Sequence, residues 1–265
     1  MPRRSGGPRP GIRPPPLVIA LSGADGSGKS TIARALALRL EAEGHAVVSV
    51  YTYGCVVCRR IPKPLCLTVA GGRPMGGSVR TERLLRILNE MHAVVDAAEL
   101  RVRLWAAVRM ARSKPTRETS HCPASRDGSV GSGPSRQADE APPPPSVEHC
   151  APRPIVVAER SSLDGLVKYD PAPGTLASRA LRSAASRYAM VVWLDAPAAL
   201  LVERDHEHDF VVLNVLASRF ERYASTLPRV LRADAAAPVG DVVSSIVDRV
   251  AGPTTPPGDE DRRER

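Results

Sequence analysis

Eight consecutive residues concentrate the chemistry of this chain. Gly23-Ala24-Asp25-Gly26-Ser27-Gly28-Lys29-Ser30 fits the spacing G-x-x-x-x-G-K-[ST]. Its glycines let backbone N–H groups converge on a polyphosphate, and a helix starting there adds partial positive charge. Lys29 is expected to reach the β- and γ-phosphates of such a polyphosphate. The Ser30 hydroxyl is expected to hold Mg2+. Lys29 is one of only 4 lysines, against 33 arginines. A lysine here points to a site that needs a compact point charge. Further along, the charged pair Glu159-Arg160 closes an apolar run, with a strand-end salt bridge as the plainer reading. Arg204 opens the polar run Arg204–Asp209. It is either a clamp for a transferring phosphoryl group or part of a solvated turn.

The elements that must position these residues alternate. Residues 17–22 (LVIALS) form a continuous apolar run, as a parallel strand covered on both faces requires. The glycine turn follows, then TIARALALRLEAEG, an Ala/Leu-rich helix that stops at Gly44. AVVSVYT (46–52), PIVVAE (154–159), AMVVWLD (189–195) and RVLRAD (229–234) read as four more strands. Residues 82–111 carry Leu84, Ile87, Leu88, Met91, Val102, Trp105 and Val108 at helical spacing, and VGDVVSSIVDRV (239–250) reads as a closing helix. This alternation predicts an α/β fold, a five-stranded parallel sheet with helices on both faces. Glu159 and Arg160 then fall at the carboxyl edge, where α/β sites form.

Composition sets the boundaries. Seventeen of the 26 prolines lie in residues 1–16, 112–153 and 252–265. The middle segment has almost no large apolar residues and cannot offset its ordering entropy. All three segments read as disordered, leaving one domain over 17–251 interrupted at about 112–153. The net charge is +9, but four arginines sit in the first 16 residues and aromatics are only 3%. Nucleic-acid binding is therefore not expected, and a small phosphorylated ligand explains the positive excess. No apolar run approaches the ~18 residues of a membrane span. The N-terminus has no apolar signal region, so a cytoplasmic location is expected. The five cysteines, including Cys55-x-x-Cys58 and Cys66, lack a second C-x-x-C and read as free thiols. His206-x-His208 lacks the further ligands of a metal site.

LVIALSGADGSGKST resembles the P-loop of thymidylate kinases, whose turn reads G-x-D-G-S-G-K-S-T. VVAERSS (156–162) is similar to that family's strand ending in Asp-Arg, although Glu159 stands where the family has Asp. VVWLDAPAALLVER (191–204) resembles the strand and helix leading to a lid arginine, and RFERYASTL (219–227) the segment after the lid. The resemblance implies a P-loop NTPase fold, ATP and Mg2+ as cofactors, and nucleotide contacts from Gly23, Asp25, Gly26, Ser27, Gly28, Lys29, Ser30 and Thr31. It implies that Arg160 grips the acceptor's phosphate, that Glu159 faces Mg2+ or its waters, and that Arg204 is the lid arginine. Asp25 matches a position that contacts the acceptor's sugar; capping the turn is its plainer role.

A hydroxyl acceptor needs a base, whereas a phosphate acceptor is already anionic. No Asp or Glu occurs between Glu43 and Glu82, where the resembling kinases carry a carboxylate. Arg59, Arg60 and Lys63 fall there instead. The expected function is ATP- and Mg2+-dependent phosphoryl transfer to a nucleoside monophosphate, with Lys29, Arg160, Arg204 and Glu159 as the catalytic set. Two alternatives stay open: a kinase of a nucleoside or other small hydroxyl substrate, with Glu159 as base, and a nucleotide-binding regulatory protein without turnover. The partner is a nucleotide or other small phosphorylated substrate. The oligomeric state is open, a homodimer being one option.

Overall fold

Three apolar runs become central strands because neither of their faces can be left to water. They are β1 (Leu17–Ser22), β3 (Ile155–Glu159) and β4 (Met190–Asp195), buried along almost their whole length. The two flanking strands, β2 (Val47–Tyr51) and β5 (Val230–Asp234), alternate in exposure, as edge strands do. The sheet order is β2-β3-β1-β4-β5, and all four pairings are parallel. The computed structural model describes residues 15–52, 79–114, 153–204 and 208–251. The five cysteines, Arg59, Arg60, Lys63 and His206 lie outside the described residues, as do most of the two tails and of the interrupting segment.

Alternate residues of each central strand feed two separate cores. On one face Leu17, Ile19, Leu21, Val157 and Val192 meet helix α1 (Lys29–Ala42) and helix α7 (Val239–Ala251). On the other, Val18, Ala20, Val156, Val191 and Trp193 meet five further helices. These are α2 (Val79–Ser113), α3 (Ser162–Tyr169), α4 (Leu176–Ala185), α5 (Ala198–Arg204) and α6 (Phe210–Ala224). The result is the three-layer α/β sandwich that the alternation predicts. Each fully buried Leu or Ile contributes about 1.5–3 kcal/mol relative to exposure. Caps fix the helix starts: Thr175 Oγ1 accepts from Ser178 N, and Asp209 Oδ1 from Val212 N. Helix α3 ends at Asp170, whose φ is 44°, and its carboxylate receives Arg219, Arg222 and the Tyr223 hydroxyl from α6. Burial and the Asp170 carboxylate push the Tyr223 phenol up to about 12.

The long helix differs from its sequence pattern in an informative way. Its inner row is Ala93, Ala97, Leu100, Leu104, Ala107 and Ala111, packed towards α4. Ile87, Met91, Val95, Val102 and Trp105 lie on the opposite, exposed side. Small residues let two helix backbones approach closely, so the alanine row wins the buried side and the bulky residues turn outward. Helix α2 also runs to Ser113, slightly beyond the boundary that proline content suggests.

Its end returns to the sheet. Lys114 Nζ donates to the Val47 carbonyl at 2.7 Å, and Val47 pairs with Ile155. The two ends flanking 115–152 therefore meet at one corner of the sheet. Replacing 115–152 with a short Gly/Ser bridge should change stability by no more than about 2 kcal/mol, the scale of the loop-closure entropy involved. Chemical denaturation of the two chains checks this, and a larger loss would show that the segment packs on the domain.

Candidate functional site

The strand order creates the site. Helix α1 leaves β1 over one face of the sheet, while α3 leaves β3 over the other. Neighbouring strands whose connections diverge leave a crevice at their carboxyl ends. The turn Gly23–Gly28 rises from β1 into that crevice, and Glu159-Arg160 ends β3 beside it.

Glycine is obligatory at the base of the turn. A Cβ on Gly23 would lie 2.7 Å from the Leu194 carbonyl and 2.7 Å from Ser27 Oγ, and φ is +153°. Gly28, at φ +83°, is the N-cap of α1 and provides no capping side chain. The first turn of α1 contains no acidic residue. Its leading N–H groups and positive dipole end thus face the turn without a capping oxygen or a competing carboxylate. The Ser27 hydroxyl is buried there with no hydrogen-bond partner among the described residues. This cradle has the chemistry of an anion site.

Lys29 folds back under the turn and is only 6% exposed. Its Nζ donates to the carbonyls of Gly23 at 3.0 Å and Ala24 at 2.7 Å, with Asp25 Oδ1 at 3.5 Å. Burial pulls the Lys29 ammonium below its ordinary pKa; Asp164 and Asp25 oppose that fall and Arg160 adds to it. Asp25 in turn accepts from the Arg160 guanidinium. Burial raises the Asp25 carboxyl, but Arg160 and Lys29 together outweigh it and hold the pKa below the usual carboxylate value.

The Ser30 hydroxyl donates to Glu159 Oε1 across the crevice. A hydroxyl and a carboxylate side by side are the hard oxygen donors that Mg2+ prefers, so these residues fit the ion that the motif implies. Thr31 follows on the exposed side of α1. Arg160 adopts φ +74°, a conformation costly for a residue with a Cβ. Three bonds hold it there: its N–H donates to the Leu21 carbonyl, Thr52 Oγ1 donates to its carbonyl, and its side chain grips Asp25. Positive φ at a non-glycine residue beside a cleft marks a position whose geometry is enforced.

Arg204 is not gathered into this cluster. It ends α5, and its Nη1 donates to the Ala235 carbonyl at 3.3 Å, just past β5. With strands ~4.8 Å apart, that point stands roughly 10 Å from the end of β1 along the same edge. Asp195 organises the neighbouring loops. Its carbonyl accepts from Ala235 N at 2.7 Å, and its carboxylate accepts from Arg232, which lies over the Trp193 ring.

Four residues of the site escaped the sequence reading: Ser22, Thr52, Ser161 and Asp164. Asp164 Oδ1 accepts from Gly23 N at 3.4 Å, and Oδ2 accepts from Ser161 N at 2.8 Å. The Ser22 and Ser161 hydroxyls meet at 2.5 Å. Burial pushes the Asp164 carboxyl up, against the pull of Lys29, Arg160, the Ser161 N–H and the Ser22 hydroxyl. The signal for Asp164 was present. Ser161-x-x-Asp164 at a helix start is a capping box, and α3 forms one.

A three-layer α/β sandwich whose central strand runs into a glycine-rich turn at a helix N-terminus is the class that fold and site together define. No family model matches the chain, and no curated relative matches it.

The depressed Asp25 pKa has a consequence for stability. A carboxylate with a lowered folded-state pKa contributes stability above its unfolded value, and that contribution disappears as pH falls through the folded value. Asp25→Asn should therefore narrow the gap to wild type as pH falls below the ordinary 3.8. Urea unfolding at a series of pH values from 2 to 7 would reveal a constant gap if the Asp25–Arg160 pair were inconsequential.

Proposed function

We propose that the chain is an ATP- and Mg2+-dependent phosphotransferase acting on a nucleoside monophosphate, a P-loop kinase resembling thymidylate kinases. The observation that carries this reading is the meeting, at one crevice, of the Lys29 turn, the Ser30–Glu159 pair and Arg160. Bound Mg·ATP would supply the transferable phosphoryl group and the metal's positive charge. Ser30 and Glu159 would hold the metal. The backbone of Gly23–Gly28 and the α1 N-terminus would hold the phosphates, and Lys29 would exchange a carbonyl partner for a phosphate oxygen. Arg160 would fix the acceptor's phosphate, with Asp25 orienting its guanidinium. Arg204 would serve the nucleoside end, since roughly 10 Å along the strand edge suits a triphosphate's length better than its terminal phosphoryl. Catalysis on this reading is positioning and charge neutralisation.

The phosphate-acceptor reading is favoured over a hydroxyl acceptor by the occupation of Glu159. Its carboxylate faces Ser30 on the metal side of the turn and is committed there rather than to a base's task. No helix among the described residues is long and apolar enough to cross a membrane. A cytoplasmic, ATP-rich setting fits the proposal.

ADP release with Mg·ATP should rise selectively with one nucleoside monophosphate in a panel that includes nucleosides and small alcohols. Lys29→Ala should lower that rate by at least 100-fold while the protein stays folded. A response to a nucleoside or alcohol instead would establish the hydroxyl-kinase reading. A flat panel, with ATP still raising Tm, would favour a nucleotide-binding protein without turnover or an acceptor outside the panel.

We also propose a homodimer through α2. The exposed row Ile87, Met91, Val95, Val102 and Trp105 is nearly palindromic about residue 96. Two antiparallel copies bring Trp105 to Ile87 and Val102 to Met91. The row presents on the order of 500 Å2 per copy, so a pair reaches the ~1,000 Å2 of a specific interface. Sedimentation should give a dimer that Val102→Glu with Trp105→Glu converts to a folded monomer. A wild-type monomer at 100 μM would refute it.

A further inference from the structure

We infer that Asp164 is the positioning residue of the phosphate-binding turn: its buried carboxylate joins the Gly23 N–H to the Ser161 N–H and so holds the turn and the Arg160 strand end in one frame. The inference rests on the phosphotransferase reading above and adds a residue to it. A helix cap alone would need only Oδ2, which accepts from Ser161 N at 2.8 Å. The second oxygen reaches Gly23 N, a residue 141 positions away, at 3.4 Å. Asp164 is 4% exposed, so neither oxygen can exchange its partner for bulk water at little cost. Both partners occupy constrained positions. Gly23 has no room for a Cβ, and Ser161 follows the residue held at φ +74°. The Ser22–Ser161 hydroxyl contact at 2.5 Å forms a second link between the same two segments. The carboxyl group also lies beneath the turn, close enough to Lys29 to interact with it, whereas Asp25 holds Lys29 and Arg160 from within the turn. Asp164 meets the turn only at its base, through the Gly23 N–H, and bonds to neither Ser30 nor Glu159. Its effect passes through Gly23 and through the Arg160 backbone.

The test compares nucleotide affinity with stability. Asp164→Asn keeps the shape and one acceptor oxygen but cannot serve both N–H groups as an acceptor. Asp164→Ser is smaller and neutral, and serves as the second variant. Leu166→Ala is the matched control, because it opens the core under α3 without touching the turn. The probe is a fluorescent ATP analogue with Mg2+, titrated at 10 °C. Asp164→Asn and Asp164→Ser should raise its Kd at least tenfold, whereas Leu166→Ala should leave Kd within twofold despite an equal or larger fall in Tm. Hydrogen exchange should quicken in peptides covering Gly23 and Ser161 and stay unchanged in β4. Wild-type Kd in both Asp164 variants would overturn the inference, as would an equal loss in Leu166→Ala. Failure of both Asp164 variants to fold would assign the residue to the fold and overturn it too. Absence of binding by the wild-type chain would be a different result, removing the phosphotransferase reading itself and this inference with it.

Discussion

An ammonium group buried under a turn of glycines is the constraint on which the rest of this structure depends. Lys29 lies almost entirely out of water. Burying such a charge costs several kcal/mol unless oxygen atoms surround it. Here the oxygens come from the turn itself, through the carbonyls of Gly23 and Ala24, and from the Asp25 carboxylate. The carbonyls that satisfy the buried ammonium thus shape the same turn that opens α1, whose leading N–H groups carry no side-chain cap.

That arrangement makes demands further away. The backbone can bend this closely past Leu194 only with glycine at position 23. The crevice exists only because β3 inserts between β1 and β2, which separates the connection leaving β1 from the one leaving β3. Arg160 occupies a costly conformation at the end of β3, and Thr52, Leu21 and Asp25 together hold it there. Local strain of about 1–3 kcal/mol persists only where surrounding bonds over-determine it. Two well-filled cores, one on each face of the sheet, give that rigidity.

Much of this was legible in the chain. All five strands and the first and last helices lie within a residue or two of the apolar runs that announce them, because a strand buried on both faces leaves little compositional freedom. The glycine turn was legible because backbone angles that only glycine adopts readily recur in it at fixed spacing, at Gly23, Gly26 and Gly28. The orientation of α2 was not. Hydrophobic periodicity marks bulky residues as buried, yet here close helix packing selected the alanine row, and Trp105 and Met91 turned outward. Asp164 was readable as a cap, whereas its second bond, to Gly23, was not.

The sequence by itself determined which local structures form and where charge and glycine stand within them, since periodicity, capping and turn geometry act over a few residues. Only the tertiary structure decided the company those residues keep. Ser22 meets Ser161, Ser30 meets Glu159 and Asp25 meets Arg160 across separations of more than 125 residues, through contacts that exist only when β3 lies beside β1. The tertiary structure also kept Arg204 apart from that group, against the carbonyl of Ala235. The physical reason is that strand order is settled by how two cores fill on opposite faces of one sheet. No short stretch of chain carries that information.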